Sequence, residues 1–183
     1  MNTAINDLKR ILLTEEQIYA RVCELGAMIS KDYGSKLGNE RLLVVCMLKG
    51  AFAFMSDLVR NIDLHCEIDF MIASSYGGGT ESSGIITIKQ DVANIKGQHV
   101  LVVEDIVDSG HTMKHVMGIL AARGPASLAL CALLDKPERR VVPVDIAYCG
   151  FMIPDEFVVG YGLDYDSKYR NLPYIGVLKP EAY

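Results

Sequence analysis

The stretch Val102-Val-Glu-Asp-Ile-Val-Asp-Ser-Gly-His-Thr112 gathers more chemistry than any other part of the chain. Apolar residues run into two adjacent carboxylates, Glu104 and Asp105. Ile106 and Val107 separate these from a third, Asp108, and Ser109, Gly110, His111 and Thr112 then open a helical pattern. A turn of small residues at a helix N-terminus offers successive backbone N–H groups, and the Ser109 and Thr112 hydroxyls add donors; together they suit a phosphate. Glu104 and Asp105 would repel phosphate, so they must face something else, and sugar hydroxyls or a bound cation are natural partners. Taken alone, the segment reads equally as an acidic strand-to-helix turn capped by Asp108 and Ser109. Two common nucleotide signatures are missing: there is no GxxxxGK[ST] loop, and Gly77-Gly-Gly79 does not make GxGxxG.

Such a turn needs a strand that ends on a crevice, as in open parallel sheets. Val100 to Val103 reads as that strand, followed by an acidic loop and a helix from about Thr112 to Arg123, stopped by Gly124-Pro125. Leu42 to Leu48 is a continuous apolar run, which suits a strand covered on both faces. Lys49-Gly50 then opens a second helical pattern, Ala51 to Asn61. Thr14 and Gln17 fit a capping box, with Ile18, Val22, Leu25 and Ile29 at helical spacing behind them, so a first helix is expected from Thr14 to near Gly34. Cys66 to Ser74, Ser127 to Leu134 and Val144 to Tyr148 read as further strands. Ile85 to Lys89 is a weak returning strand after a polar, Gly-rich loop. The alternation of strand and helix predicts an α/β fold with a mostly parallel open sheet flanked by helices. The chain is expected to be a single domain over residues 1–183, with a core at about 38–150 and a small hood from about 1–37 and 151–183.

Composition narrows the partners. The 183 residues, half of them hydrophobic, are enough for one sizeable core. A formal net charge of -5 and the lack of a basic stripe argue against nucleic acid held by counterion release. The longest apolar run is far short of a membrane span, and Met1 to Arg10 lacks an apolar signal core. Five cysteines, an odd number without a CxxC pair, read as reduced thiols in a cytoplasmic protein. His111 and His115 have a spacing that metals use, but no third ligand accompanies them.

Val102 to Thr112 resembles the ribose-phosphate signature of type I phosphoribosyltransferases. Leu48-Lys49-Gly50, Ser75-Tyr76, Leu134-Asp-Lys136-Pro137 and Phe157-Val-Val-Gly-Tyr-Gly-Leu-Asp164 follow in the order found in the hypoxanthine-guanine branch of that family. Tyr165 to Arg170 and Leu172-Pro173 continue the likeness. It covers roughly residues 10 to 180.

This resemblance implies roles. Glu104 and Asp105 would bind the ribose hydroxyls, directly or through magnesium, with Ile106 beside them. Asp108 would sit near N7 of the purine and exchange its proton, as a carboxylate placed there is able to do. Asp108 to Thr112 would hold the 5-phosphate; His111 is a mild departure, since this position is often Lys, Asn or small. Lys49-Gly50 matches the pyrophosphate loop, in which the peptide before the lysine is often cis. Lys136 resembles the lysine that donates to the 6-oxygen, Phe157 the residue stacked on the base, and Val158 the carbonyl that reads its edge. Asp164 resembles a second magnesium anchor and Arg170 a pyrophosphate-binding arginine. Ser75-Tyr76 and the glycines after them resemble a closing lid, which would keep water from the reacting sugar carbon.

The implied partners are phosphoribosyl pyrophosphate and a 6-oxopurine base, with magnesium as cofactor, in a homodimer or homotetramer. A ligand-sensing regulator on the same fold is the rival reading; the joint presence of Asp108, Lys136, Asp164 and Arg170 favours catalysis. A transferase for adenine, a pyrimidine or xanthine is the other. Lys136 and the run Phe157 to Asp164 disfavour adenine.

Overall fold

The computed structural model describes residues 6–38, 40–75 and 86–183, with the backbone alone at 74 and 75. Its frame is a six-stranded sheet. In chain order, Leu42–Met47 is β2, Cys66–Ser75 β3, Ile86–Gln90 β4, His99–Val107 β5, Ser127–Asp135 β6 and Tyr148–Met152 β7. They lie in the order β4-β3-β2-β5-β6-β7, all parallel except β4, which returns antiparallel along β3. Every residue of β2 is buried, as a strand covered on both faces must be.

The helices are α1 (Glu15–Leu37), α2 (Phe52–Val59) and α3 (His111–Ala122). α2 packs on β2 and β5, and α3 on β3 and β6. The chain leaves β2 for β3 on one side and leaves β5 for β6 on the other. With right-handed crossovers, α2 and α3 fall on opposite faces, and the strand order reverses between β2 and β5. In open α/β sheets the crevice beyond the carboxyl ends of the strands at such a reversal is where ligands bind.

A second sheet is built from the two ends of the chain. Leu8–Leu13 (β1) pairs antiparallel with Ile175–Leu178 (β9), which pairs with Val158–Val159 (β8). Leu8, Val159, Leu172 and Leu178 form a small apolar cluster there.

Four expectations need correction. α1, assigned from sequence to the hood, packs instead on α2 and β7, and Arg21 donates to the Cys149 and Gly150 carbonyls. The Thr14 capping box forms in both directions, but the helix runs past Gly34 to Leu37. Buried Tyr33 and Leu37 anchor that last turn and offset the cost of an interior glycine. β5 does not stop at Val103. Its partner β6 continues to Asp135, so Ile106 and Val107 pair with Leu134 and Asp135, and the acidic loop is a strand end. Residues 144–147 are not a strand. Pro143 lacks an N–H, and just before it Val141 and Val142 both donate to the Ser109 carbonyl, while the Val144 side chain lies behind Gly110.

Candidate functional site

Two walls meet at the crevice between β2 and β5. The Leu48–Lys49 peptide is cis, and Lys49 is exposed at the lip. Gly50 lies so near the end of β5 that a Cβ on it would collide with the Asp105 carboxylate. That contact fixes the glycine requirement better than any turn geometry.

Opposite, residues 104–110 with Thr112 and Met113 enclose a cleft of about 150 Å³. Asp105 N donates to Glu104 Oε1 at 2.9 Å, and Ile106 N to Asp105 Oδ1 at 2.8 Å, so the two acids bend over their own strand. The Glu104 residue is half-buried at the cleft wall. Desolvation first, and then the Asp105 charge beside it, push its carboxyl well above the ordinary carboxylate range. The same two carboxylates, after burial, help push the Cys46 thiol up to about 12. None of this suits a nucleophilic cysteine.

After β5 the chain turns through Gly110 at φ 88, and α3 begins at His111. Among the described residues no side chain caps α3, so its first amides remain available. His111 is exposed and Ser109 and Thr112 are half-buried. The turn is braced from behind. Arg140 donates from Nε to the Asp108 carbonyl at 3.0 Å and from Nη2 to the Val107 carbonyl at 3.1 Å, and pairs with Asp135. A Cβ on Gly110 would strike the Val142 carbonyl and the Arg140 side chain.

Asp108 and Lys136 end neighbouring strands, and Lys136 N donates to the Val107 carbonyl at 3.0 Å. The Lys136 residue is buried, 6% exposed. Asp108 Oδ1 is also buried and makes no hydrogen bond, although Arg139 Nε approaches to 3.1 Å in an ion pair. Beyond β7, Ile153 N donates to the Asp135 carbonyl and carries the chain past Lys136 to Phe157. Phe157 is 39% exposed; Tyr183 stacks on it with centroids 4.7 Å apart, and Tyr165 meets it edge-on. Val158 is buried in β8 opposite Val177.

The loop 160–170 closes the other side. Gly162, at φ 100, sits against the Gly50 carbonyl, where a side chain would clash. Arg170 donates from Nη1 to the Gly162 carbonyl at 2.6 Å and pairs through Nη2 with Asp164 Oδ1 at 2.6 Å. Asp164 Oδ2 accepts from Ser167 N. Asp164 therefore does not share a shell with Glu104 and Asp105. Among the described residues no three His, Cys, Asp or Glu side chains converge as a metal cage.

Ser75 ends β3 opposite Ile86. Tyr76 and the Gly-rich lid residues lie outside the described residues. A cleft of about 690 Å³ between α1, α2 and residues 170–173 reaches this chemistry at Arg170.

Sequence reading missed Arg140, Arg139 and Asp155. The signal was present in outline: two consecutive arginines follow Lys136-Pro137, in a region with Asp108 and Asp135 to neutralise.

The phosphoribosyl transferase domain model matches residues 12–166. A hypoxanthine-guanine phosphoribosyltransferase of Streptococcus pneumoniae is 53% identical over 179 residues, covering 97% of each chain. A crystal structure of a hypoxanthine phosphoribosyltransferase from Staphylococcus aureus superposes with a TM-score of 0.93 at 51% identity, over 100% of this chain and 98% of that one. A mutant hypoxanthine phosphoribosyltransferase from Trypanosoma cruzi, in a ternary substrates complex, gives 0.91 at 42% identity over 97% of this chain and 99% of that one. The chain belongs to the phosphoribosyltransferase family.

Proposed function

We propose that this chain salvages purines, transferring the 5-phosphoribosyl group of phosphoribosyl pyrophosphate to N9 of hypoxanthine or guanine and releasing IMP or GMP with pyrophosphate. The observation that carries the reading is the pair at the ends of β5 and β6. Asp108 Oδ1 is a buried acceptor without a donor, and Lys136 is a buried ammonium. A 6-oxopurine has an acceptor at O6 next to the nitrogen N7, and so answers both. Adenine has an amino group at C6 and would set donor against lysine donor.

In this reading the uncapped first turn of α3, with the Ser109, Gly110, His111 and Thr112 amides, holds the 5-phosphate. Glu104 and Asp105 face the ribose hydroxyls, with Ile106 between them and the turn. Lys49, Gly50 and Arg170 bind the pyrophosphate. Phe157 stacks on the base and the Val158 carbonyl reads its edge, while Ser75 and Tyr76 belong to the lid. As the bond from the ribose C1 to pyrophosphate breaks and the bond to N9 forms, the base gives up one proton, which Asp108 takes.

Magnesium is the implied cofactor, and the donor set fits it. A half-buried Glu104 carboxyl pushed up by desolvation and by the Asp105 charge beside it gains from a cation. A site with one or two carboxylates and no full protein cage is what an ion using substrate oxygens requires. Glu104 and Asp105 would hold it on the ribose side. Asp164 would hold it on the pyrophosphate side through a lone pair left free by Arg170 and Ser167. When bound, it supplies neutralising charge and orients the donor's oxygens.

Among the described residues no helix is long and apolar enough to cross a membrane. The reading extends to a cytoplasmic enzyme working as a homodimer or homotetramer, without nucleic-acid or membrane partners. The test is product formation from phosphoribosyl pyrophosphate, magnesium and each base in turn. Hypoxanthine and guanine should give nucleotide, adenine should not, and chelation should stop the reaction. Preference for adenine, or full turnover in excess chelator, contradicts it.

A further inference from the structure

We propose that Arg139 and Asp155 form an internal surrogate for the purine edge, which the base must displace and whose strength tunes the KM for the base. The inference rests on the assignment of Asp108 and Lys136 to the base site.

The arrangement starts with a single turn. Pro137–Arg139 is a 3₁₀ turn closed by Arg139 N donating to the Lys136 carbonyl at 3.2 Å. Side chains three apart on such a turn eclipse one another, so Lys136 and Arg139 point the same way. Both reach one atom: Asp155 Oδ1 lies 3.7 Å from Lys136 Nζ and 3.5 Å from Arg139 Nη1. On its other side Arg139 places Nε 3.1 Å from Asp108 Oδ1. Four charges therefore alternate in a chain, Asp108, Arg139, Asp155, Lys136.

In the chemistry offered to the two ends, Asp108 is given an N–H donor and Lys136 an oxygen acceptor. A 6-oxopurine with its proton on N7 offers the same donor and acceptor, side by side on one edge. The arginine–aspartate pair thus sets the same order of donor and acceptor against the two ends when no base is bound, as ion pairs rather than hydrogen bonds. It also gives the buried Lys136 an opposite charge to face, where a polar group without a partner would be costly.

The pair is built to yield. Arg139 and Asp155 side chains are about half exposed, 51% and 45%, and ion pairs of that kind are weak. The Arg139 approach to Asp108 does not meet hydrogen-bond geometry, so Oδ1 stays unsatisfied until a better-aligned donor arrives. Once displaced, Arg139 and Asp155 retain each other. The base must compete with contacts that Asp108 and Lys136 already have.

The experiment is steady-state kinetics of R139Q and D155N with hypoxanthine at saturating phosphoribosyl pyrophosphate, alongside K136A. Removing either surrogate should lower the KM for hypoxanthine about two- to fivefold, with the change in KM rather than kcat. The double variant should fall short of the product of the two effects, because both act through one network. An unchanged or raised KM in both single variants overturns the proposal. If K136A still uses hypoxanthine as well as the wild type, it is the base-site assignment that fails. If K136A is impaired while R139Q and D155N do not tighten, only the surrogate fails.

Discussion

The strand-end wall of the site and the 160–170 loop facing it are built on opposite principles. The wall is regular: β5 and β6 run parallel to Val107 and Asp135, and the functional groups are whatever side chains fall at their last positions. The loop is irregular. Tyr161, Asp166, Ser167 and Tyr169 all have positive φ, as do Gly160 and Gly162. Non-glycine residues in that region cost on the order of 1–3 kcal/mol each and persist only where surrounding contacts impose them. Here the contacts are visible. Tyr161 OH donates to Asp57 Oδ2 at 2.6 Å, Tyr161 N to the Leu172 carbonyl, and Gly162 N to the Arg170 carbonyl. A sheet can thus offer side chains cheaply, whereas bringing backbone against backbone, Gly162 on Gly50, requires a strained loop. Substitutions on the wall should change chemistry and spare stability; substitutions in the loop should change both.

The largest separation is expected at Asp108. Asp108→Asn keeps shape and removes proton affinity, so the single-turnover rate should fall by ~10²–10⁴-fold. The midpoint of urea unfolding should scarcely move. A large loss of stability with an unchanged chemical step would invert the comparison. Next comes Gly162→Ala. A Cβ at φ 100 is strained and strikes the Gly50 carbonyl. Unfolding free energy should drop by about 1–3 kcal/mol. The KM for phosphoribosyl pyrophosphate should rise in the same variant, since Gly50 must move. Intact stability with intact donor binding would show that the close approach is dispensable. The smallest effect is a control distant from both regions. Thr14→Ala removes a capping box, which should lower stability by about 1 kcal/mol with kinetic constants unchanged. A kinetic change there would mean that α1 is coupled to the site.

The same contrast explains how much could be read from sequence. The wall was legible because local signals and tertiary structure agree. An apolar run, three acids and a Ser-Gly turn mark a strand ending in a turn before a helix, and the ordered motifs elsewhere in the chain decide for a ligand site over a capped turn. Its length was not legible, since extension to Val107 depends on β6 lying alongside. Val144 to Ile146 has strand-like residues, yet the chain just before it is tied to the Ser109 carbonyl by Val141 and Val142, which no local pattern records. Arg140 stood out only as one of two consecutive arginines, and its role was hidden for a related reason. Its partners are backbone carbonyls at 107 and 108 and the Asp135 carboxylate, and carbonyls leave no trace in residue types. The loop's motif from Phe157 to Asp164 stood out by resemblance alone; its positive φ values at tyrosine, aspartate and serine run against local preference.

Base selection turns on Lys136 reading the 6-oxygen. The direct measurement is the catalytic efficiency of Lys136→Ala and wild type with hypoxanthine, guanine and adenine. Losing one charge-assisted hydrogen bond should lower efficiency with the two oxopurines about ten- to a hundredfold and leave adenine use no better than before. Wild-type efficiency with hypoxanthine and guanine in a folded Lys136→Ala protein would contradict it.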